Sequence, residues 1–282
     1  MSVITVGNFD GLHLGHRLLL ETVRKKALET GDKSIAVTFD VHPRKGTPLL
    51  CDNAEKERKI LALGIDKVVF LPFEKIENFD GDEFLAYLKN ELGLSYFVCG
   101  SDFRFGKNAS CNVDFLRKES EKFGFGLSVI EFDAKTKTSS SVIRKLLAEG
   151  NTEDAEKLLG YLYSISADIV SGKHIGRLLG YPTVNIFPEK NILLPRYGVY
   201  ATEIILDGET FSGITNVGVR PTFDDGDRPN IETFVIGDRL SKNYSRATVV
   251  FKKFIRPEKK FPSEEALSAQ IANDVKIASE IK

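Results

Sequence analysis

Two histidines three residues apart, His13 and His16, lie on the stretch Gly7-Asn8-Phe9-Asp10-Gly11-Leu12-His13-Leu14-Gly15-His16. A short β-branched run, Val3–Val6, precedes it, and an amphipathic run, Leu14–Leu28, follows. At such a strand-to-helix turn small residues let backbone amides approach an anion, and the helix N-terminus points partial positive charge at it. Histidines at this spacing share one helical face. The chemistry that needs this arrangement is nucleotidyl transfer. In-line attack on an α-phosphorus builds charge on equatorial oxygens and on departing pyrophosphate, which imidazole N–H groups, helix amides and Mg²⁺ stabilise. A nucleophile that is already a phosphate anion needs no base. Gly7, Asn8, Phe9, Asp10 and Gly15 are therefore expected at the phosphates. A helix cap or a structural metal would use the same histidines, but no cysteine or carboxylate at metal-ligand spacing accompanies them.

A second cluster lies in Gly172-Lys173-His174-Ile175-Gly176-Arg177-Leu178-Leu179-Gly180-Tyr181-Pro182-Thr183-Val184-Asn185. Pro182 discourages helix, so Thr183 and Asn185 point the same way on an extended segment and present a hydroxyl and an amide oxygen together. Mg²⁺ takes such hard oxygens when phosphates and waters complete its shell. A plain turn is the alternative for this tetrad. Ser139-Ser140-Ser141 opens a helix running to Glu149, where hydroxyls and free amides either bind phosphate or cap the helix, and Arg144 adds a cation one turn on. Asp40 and Asp102 end predicted strands, where doubly wound sheets place ligands. Gly100–Lys107 is no P-loop, having one residue too many between the glycines and Asn108 where Ser or Thr should stand.

Residues 1–150 can position the first group. Strand-like runs at Val3–Val6, Ser34–Phe39, Lys67–Leu71, Tyr96–Cys99 and Leu127–Ile130 alternate with helical patterns at Leu14–Leu28, Glu55–Leu63, Gly81–Leu92 and Asn112–Phe123. This rhythm predicts a doubly wound parallel sheet of the Rossmann-like kind. After a helix at Thr152–Leu159 the pattern changes to short strands: Leu162–Val170, Val199–Leu206, Glu209–Val217, Asn230–Ile236 and Ala247–Phe254. Turn signals stand at Asp207-Gly208 and Asp225-Gly226. A small antiparallel β-barrel follows, with Ser263 capping a terminal helix to about Ile281. The predicted class is α/β plus β, with domains at 1–157 and 158–282.

The 282 residues suffice for two cores at about 100–200 residues each. With 42% apolar and 28% charged residues the chain is neither disordered nor fibrous. A net charge of -1 provides no broad cationic field, so nucleic acid and membrane are not expected partners. The pairs Lys252–Lys253 and Lys259–Lys260 read as solvated faces. Cys51, Cys99 and Cys111 are scattered and read as reduced thiols. Without a basic leader or an apolar run of about 18 residues, a cytoplasmic protein is expected.

The first stretch resembles the nucleotidyltransferase signature of the bacterial bifunctional riboflavin kinase/FAD synthetases. Phe39-Asp40-Val41-His42-Pro43-Arg44, Gly100-Ser101-Asp102-Phe103-Arg104-Phe105-Gly106 and Ser139-Ser140-Ser141-Val142-Ile143-Arg144 resemble that family's further N-terminal motifs, in order. Gly172–Asn185 resembles its riboflavin kinase signature, and Gly198-Val199-Tyr200, the run from Asn216 to Phe223 and the run from Arg256 to Phe261 resemble later segments. The resemblance spans nearly the whole chain. It implies that riboflavin and ATP give FMN, and FMN and ATP give FAD, both with Mg²⁺. It assigns Ser140, Ser141 and Arg144 to ATP phosphates, and Asp40, Asp102, Phe103, Arg104 and Phe105 to nucleotide and flavin contacts. Core packing is an equal reading for the two phenylalanines. It assigns Gly172, Lys173, Gly176, Arg177, Gly180 and Pro182 to the ATP of the kinase, and the catalytic carboxylate to Glu232.

The chain departs from the family where Phe234 replaces a common His, along Gly237–Tyr244, and where Cys111-Asn112 replaces glycine. A second reading therefore keeps adenylyl transfer and makes the C-terminal domain a flavin- or protein-binding module. A third takes His13-Leu14-Gly15-His16 as the HIGH-like motif of a class I tRNA synthetase or another adenylyltransferase. Length, net charge and the lack of a helical anticodon-binding pattern count against the synthetase.

Overall fold

The computed structural model describes residues 1–42, 44–132, 138–170, 183–220, 228–237 and 244–281. The chain divides into two compact units, Met1–Ser140 and Ser141–Lys282.

In the first unit β1 (Ser2–Val6), β2 (Lys33–Phe39), β3 (Lys67–Leu71), β4 (Leu94–Gly100) and β5 (Gly126–Ile130) form one parallel sheet in the order β3-β2-β1-β4-β5. The connections carry α1 (Leu14–Thr30), α2 (Asn53–Ala62), α3 (Phe73–Ile76), α4 (Gly81–Leu92) and α5 (Val113–Phe123). Every residue of β1 is buried, because strand side chains alternate between faces and both faces are covered. Val3, Ala36 and Val98 pack with Leu20, Val23 and Ile60 from α1 and α2. On the other face Ile4, Val37 and Phe97 pack with Leu85, Leu88 and Leu116 from α4 and α5. The chain steps outward from β1 to β3 and returns to β4, so the order reverses between β1 and β4, where such sheets hold ligands.

Helix ends follow side-chain chemistry. Asp52 caps α2, and Asp80 with Glu83 forms a capping box on α4. Asn112, one of the departures from the family pattern, caps α5 by accepting from the amides of Asp114 and Phe115. That cap accounts for an asparagine at this loop position.

The second unit holds α6 (Ser140–Glu149) from its second residue, α7 (Thr152–Leu159) and a closed barrel. Its strands are β6 (Ser164–Val170), β7 (Thr183–Ile186), β8 (Gly198–Leu206), β9 (Glu209–Arg220), β10 (Arg228–Val235) and β11 (Arg246–Arg256), in the order β10-β7-β6-β11-β8-β9. The terminal helix is α8 (Glu264–Glu280), capped by Ser263. The β8–β9 hairpin turns on Asp207 and Gly208, both at positive φ, as a two-residue turn of this twist requires. The other turn signal, Asp225-Gly226, lies outside the described residues.

Packing groups α6 and α7 with the barrel. Ala155 and Leu159 are fully buried, Thr152 Oγ1 donates to Lys252 O at 3.0 Å, and the Arg196 amide donates to Leu147 O at 2.9 Å. An amphipathic helix needs an apolar surface, and here β11 and its neighbours provide it. Among the described residues no helix is long and apolar enough to cross a membrane.

Candidate functional site

Two strand ends build the first site. The Gly7 amide donates to Val37 O at 3.0 Å, and Thr38 Oγ1 donates to Asn8 O at 3.0 Å, so β2 fixes the exit of β1. The loop then passes through Phe9, Gly11 and Leu12, all at positive φ. For the two non-glycines this costs about 1–3 kcal/mol each, a strain that persists only where the surroundings enforce it. Phe9 is fully buried and folds over Gly7, where an added Cβ would meet the ring at 3.0 Å. Asp10 is also fully buried and accepts from the Leu50 amide at 2.8 Å. The Phe9 and Asp10 side chains face inward and shape the loop, leaving its backbone to meet the phosphates expected there. Ser140 Oγ donates to Asp10 O at 2.9 Å. Gly15 is buried in the first turn of α1.

His13 is the N-cap of α1, its Nδ1 accepting from the His16 amide at 3.4 Å. The proton of a neutral His13 then sits on Nε2, which is left to donate. The rings stack with centroids 3.6 Å apart. Burial lowers the His13 pKa to about 4, and burial together with the charges of His13 and Lys56 holds His16 well below the ordinary histidine value. Both rings are therefore neutral near pH 7 and offer N–H donors rather than cations. The cap uses Nδ1 and leaves the opposite edge of the ring, at Nε2, out of that bond. His16 Nδ1 and Asn8 Oδ1 are sealed from solvent and have no hydrogen-bond partner among the described residues.

Beside this loop lies a cavity of about 880 Å³ at the point where the strand order reverses. Gly7 and Asn8 after β1 and Asp102, Phe103, Arg104 and Phe105 after β4 line it. The Phe103 and Phe105 rings stack 5.5 Å apart, and Phe105 is buried in the core, so the pair is core and cavity wall at once. Arg44, which the sequence reading left unassigned, also lines it. The histidines and Asp40 are not lining residues. Asp40 is exposed just beyond β2, where its carboxylate accepts from the Val41 amide at 3.0 Å. Ser141 and Arg144 stand in the first two turns of α6, within the second unit.

In the second unit β7 and β10 pair antiparallel with Glu232 opposite Asn185 and Phe234 opposite Thr183. Thr183 Oγ1 donates to Glu232 Oε1 at 2.6 Å and accepts from Asn185 Nδ2 at 3.4 Å. The structure thus joins the expected metal ligands and the expected base in one cluster. Asn230, which the sequence reading passed over, donates to Asn185 Oδ1 at 3.3 Å, and its own buried Oδ1 has no partner among the described residues. The signal was available: Asn230 stands two residues before Glu232 and so shares its strand face.

Thr183 and Glu232 open onto a cavity of about 340 Å³ walled by Val199, Ile214, Phe234, Phe261, Leu267 and Ile271. Arg256 and Asp274 also line it. Arg256 Nε and Nη2 reach Asp274 Oδ2 at 3.0 and 2.8 Å, and the Asp274 side chain is 2% exposed. Gly198 is required beside them, since a Cβ there would stand 2.4 Å from Arg256 O. The expected ATP residues Gly172, Lys173, Gly176, Arg177, Gly180 and Pro182 lie outside the described residues, as do positions 238–243 of the divergent run. Among the described residues no group of three or more His, Cys, Asp and Glu side chains could hold a metal ion by itself.

A glycine-bearing strand-to-helix loop at the switch point of a parallel sheet, together with a carboxylate at the mouth of an apolar barrel cleft, is the arrangement of an enzyme of phosphate and nucleotidyl transfer. A family model described as FAD synthetase matches residues 1–142, and one described as riboflavin kinase matches residues 159–282. The chain belongs to the bifunctional riboflavin kinase/FMN adenylyltransferase family. A relative of that name from Buchnera aphidicola is 34% identical over 98% of this chain and 92% of its own length. The Escherichia coli K12 relative is 32% identical over 99% of this chain and 92% of its own. A crystal structure described as a macrolide-efflux protein from Streptococcus pneumoniae matches with a TM-score of 0.87 at 26% identity, over 99% of this chain and 93% of that one. The riboflavin kinase match displaces the reading of the C-terminal part as a binding module without kinase chemistry, and the barrel displaces the synthetase reading.

Proposed function

We propose that this chain makes FAD in two ATP-dependent steps, adenylylating FMN in an N-terminal domain, 1–157, and phosphorylating riboflavin in a C-terminal domain, 158–282. The observation that carries this reading is the pair of chemically distinct sites: neutral donors on an anion loop in one unit, a carboxylate at an apolar cleft in the other.

In the first reaction a phosphate oxygen of FMN attacks the α-phosphorus of ATP, the bond to the bridging oxygen breaks, and pyrophosphate leaves. His13 and His16 donate N–H to the charge that develops, with the amides of the Gly7–His13 loop and the N-terminus of α1 beside them. Depressed histidine pKa values suit this role, since the nucleophile needs no base. Ser140, Ser141 and Arg144 are assigned to the ATP phosphates, and the cavity lined by Asp102, Phe103, Arg104 and Phe105 to the flavin nucleotide.

In the second reaction the terminal ribityl hydroxyl attacks the γ-phosphorus, its proton passes to Glu232, and ADP leaves. The apolar walls take the flavin ring, and the short bond from Thr183 holds the carboxylate at the mouth of the cleft. Mg²⁺ fits here: Thr183 Oγ1, Asn185 Oδ1 and the unpartnered Asn230 Oδ1 are hard oxygens that hold the ion only when nucleotide phosphates complete its shell. When bound it neutralises phosphate charge. Both activities sit in a cytoplasmic protein acting on small molecules, without nucleic acid or membrane, and the domains implied for them are 1–157 and 158–282.

Glu232→Gln keeps the size of the side chain and its bond to Thr183 while removing the proton acceptor. Riboflavin phosphorylation should fall about 10²–10⁴-fold with FMN adenylylation unchanged, both followed by product chromatography. A loss below about threefold would return Glu232 to an ordinary strand position.

A further inference from the structure

Lys56, in α2, is 1% exposed and makes no ion pair among the described residues. Its Nζ donates to Phe39 O at 3.3 Å and stands 5.8 Å from the centre of the Phe70 ring. An ammonium group sealed in this way is unfavourable, and a neutral side chain of similar length would fill the space without that penalty. Its place explains the charge. Phe39 ends β2, and the two residues before it bond to Asn8 and Gly7 of the phosphate loop. The segment leading into α2 bonds to the same region, the Leu50 amide to Asp10 and Asn53 Nδ2 to Asp40 O at 2.7 Å. Lys56 therefore lies beneath the loop, too buried to touch a substrate above it.

We propose that Lys56 is a positioning residue for adenylyl transfer: a sealed cation under the loop whose charge is completed by the triphosphate of ATP. This rests on the reading of the loop as the adenylyl-transfer site. The groups facing the ammonium come from each element around it: Asp10 on the loop, Asp40 after β2, Cys51 before α2 and His16 on α1. Burial lowers the Lys56 pKa, and Cys51, Asp10 and Asp40 draw it back up. In return Lys56 presses His16 further toward its neutral, donating form. An arriving triphosphate adds its negative charge to that of Asp10 and Asp40 and further favours the ammonium.

The test is Lys56→Met in the full chain, with FAD formation from FMN and ATP measured from about pH 6 to 9.5, thermal unfolding at each pH, and riboflavin phosphorylation as control. The variant should unfold no earlier than the wild type and keep its kinase activity. Its KM for ATP in the adenylyl step should rise about tenfold at pH 7. In the wild type that KM should climb toward alkaline pH as Lys56 loses its proton, whereas in Lys56→Met it should stay flat. A variant KM within about twofold of wild type, or a matching alkaline rise in both proteins, would overturn the inference. Should Lys56→Met fail to fold, the wild-type profile decides alone, and a flat KM for ATP counts against the buried charge. Failure of the wild-type chain to form any FAD would remove the underlying reading of the loop; wild-type FAD formation with an indifferent variant removes only the role of Lys56.

Discussion

At the scale of single residues, His13 does two jobs on two nitrogens, and they can be separated. Asparagine is among the best N-cap residues, so His13→Asn should keep the cap on α1 while deleting the Nε2 donor. FAD formation from FMN should drop about 10²–10³-fold while riboflavin phosphorylation persists. Near-normal FAD synthesis would take His13 out of the mechanism. The same variant reports on stability. The folded pKa of His13 is lowered from 6.5 to about 4, so between those values the unfolded chain binds the proton that the folded chain refuses. Stability from this group is present above pH 6.5 and lost as pH falls toward 4, and denaturant titrations of His13→Asn should show a shallower acid decline. The histidine pair was legible in the sequence because its setting is contiguous: strand, glycines, helix. Lys56 was not, because burial belongs to a neighbourhood; its partner Phe39 and the loop it underlies come from other elements. Arg256 and Asp274 escaped for the same reason, being joined only when α8 packs on the barrel.

At the scale of elements, β3, α4 and α7 fall at the residues the pattern predicted, each bounded by a cap, a glycine or a proline. α3 went unseen, since four residues show no helical period. α2 begins two residues earlier than expected because Asp52, not periodicity, starts it. β9 continues to Arg220 past the predicted Val217, held by pairing with β10 through Gly218 and Val219 that no local pattern announces. The Arg256–Asp274 pair fastens α8 to β11. Asp274→Ala would leave a guanidinium without its carboxylate in a mostly enclosed site, and the barrel unit should lose about 3 kcal/mol of stability. The KM for riboflavin should rise with it, because Arg256 lines the cleft. Unaltered melting and KM would show that α8 is held by its apolar face alone.

At the scale of the whole molecule, the division at Ser140 bears on what can be cut. A fragment comprising 141–282 retains α6 and α7, whereas one comprising 158–282 strips the side of β11 that Thr152 and its neighbours cover. The longer fragment should therefore melt higher and phosphorylate riboflavin better than the shorter, and equal melting curves would make the two helices mere connectors. The pairing of β7 with β10 carries a different consequence, for the history of this barrel. Glu232 looks outward only because of its parity in the strand; its neighbour Thr233 looks inward, bonded to Thr215 at 2.8 Å inside the barrel. Losing or gaining one residue within β10 ahead of Glu232 would exchange the two and drive a carboxylate into the interior. Side chains along the strand can be exchanged more readily than its length, so aligned relatives should differ here by substitution, with insertions and deletions falling in the connections beyond the strand ends.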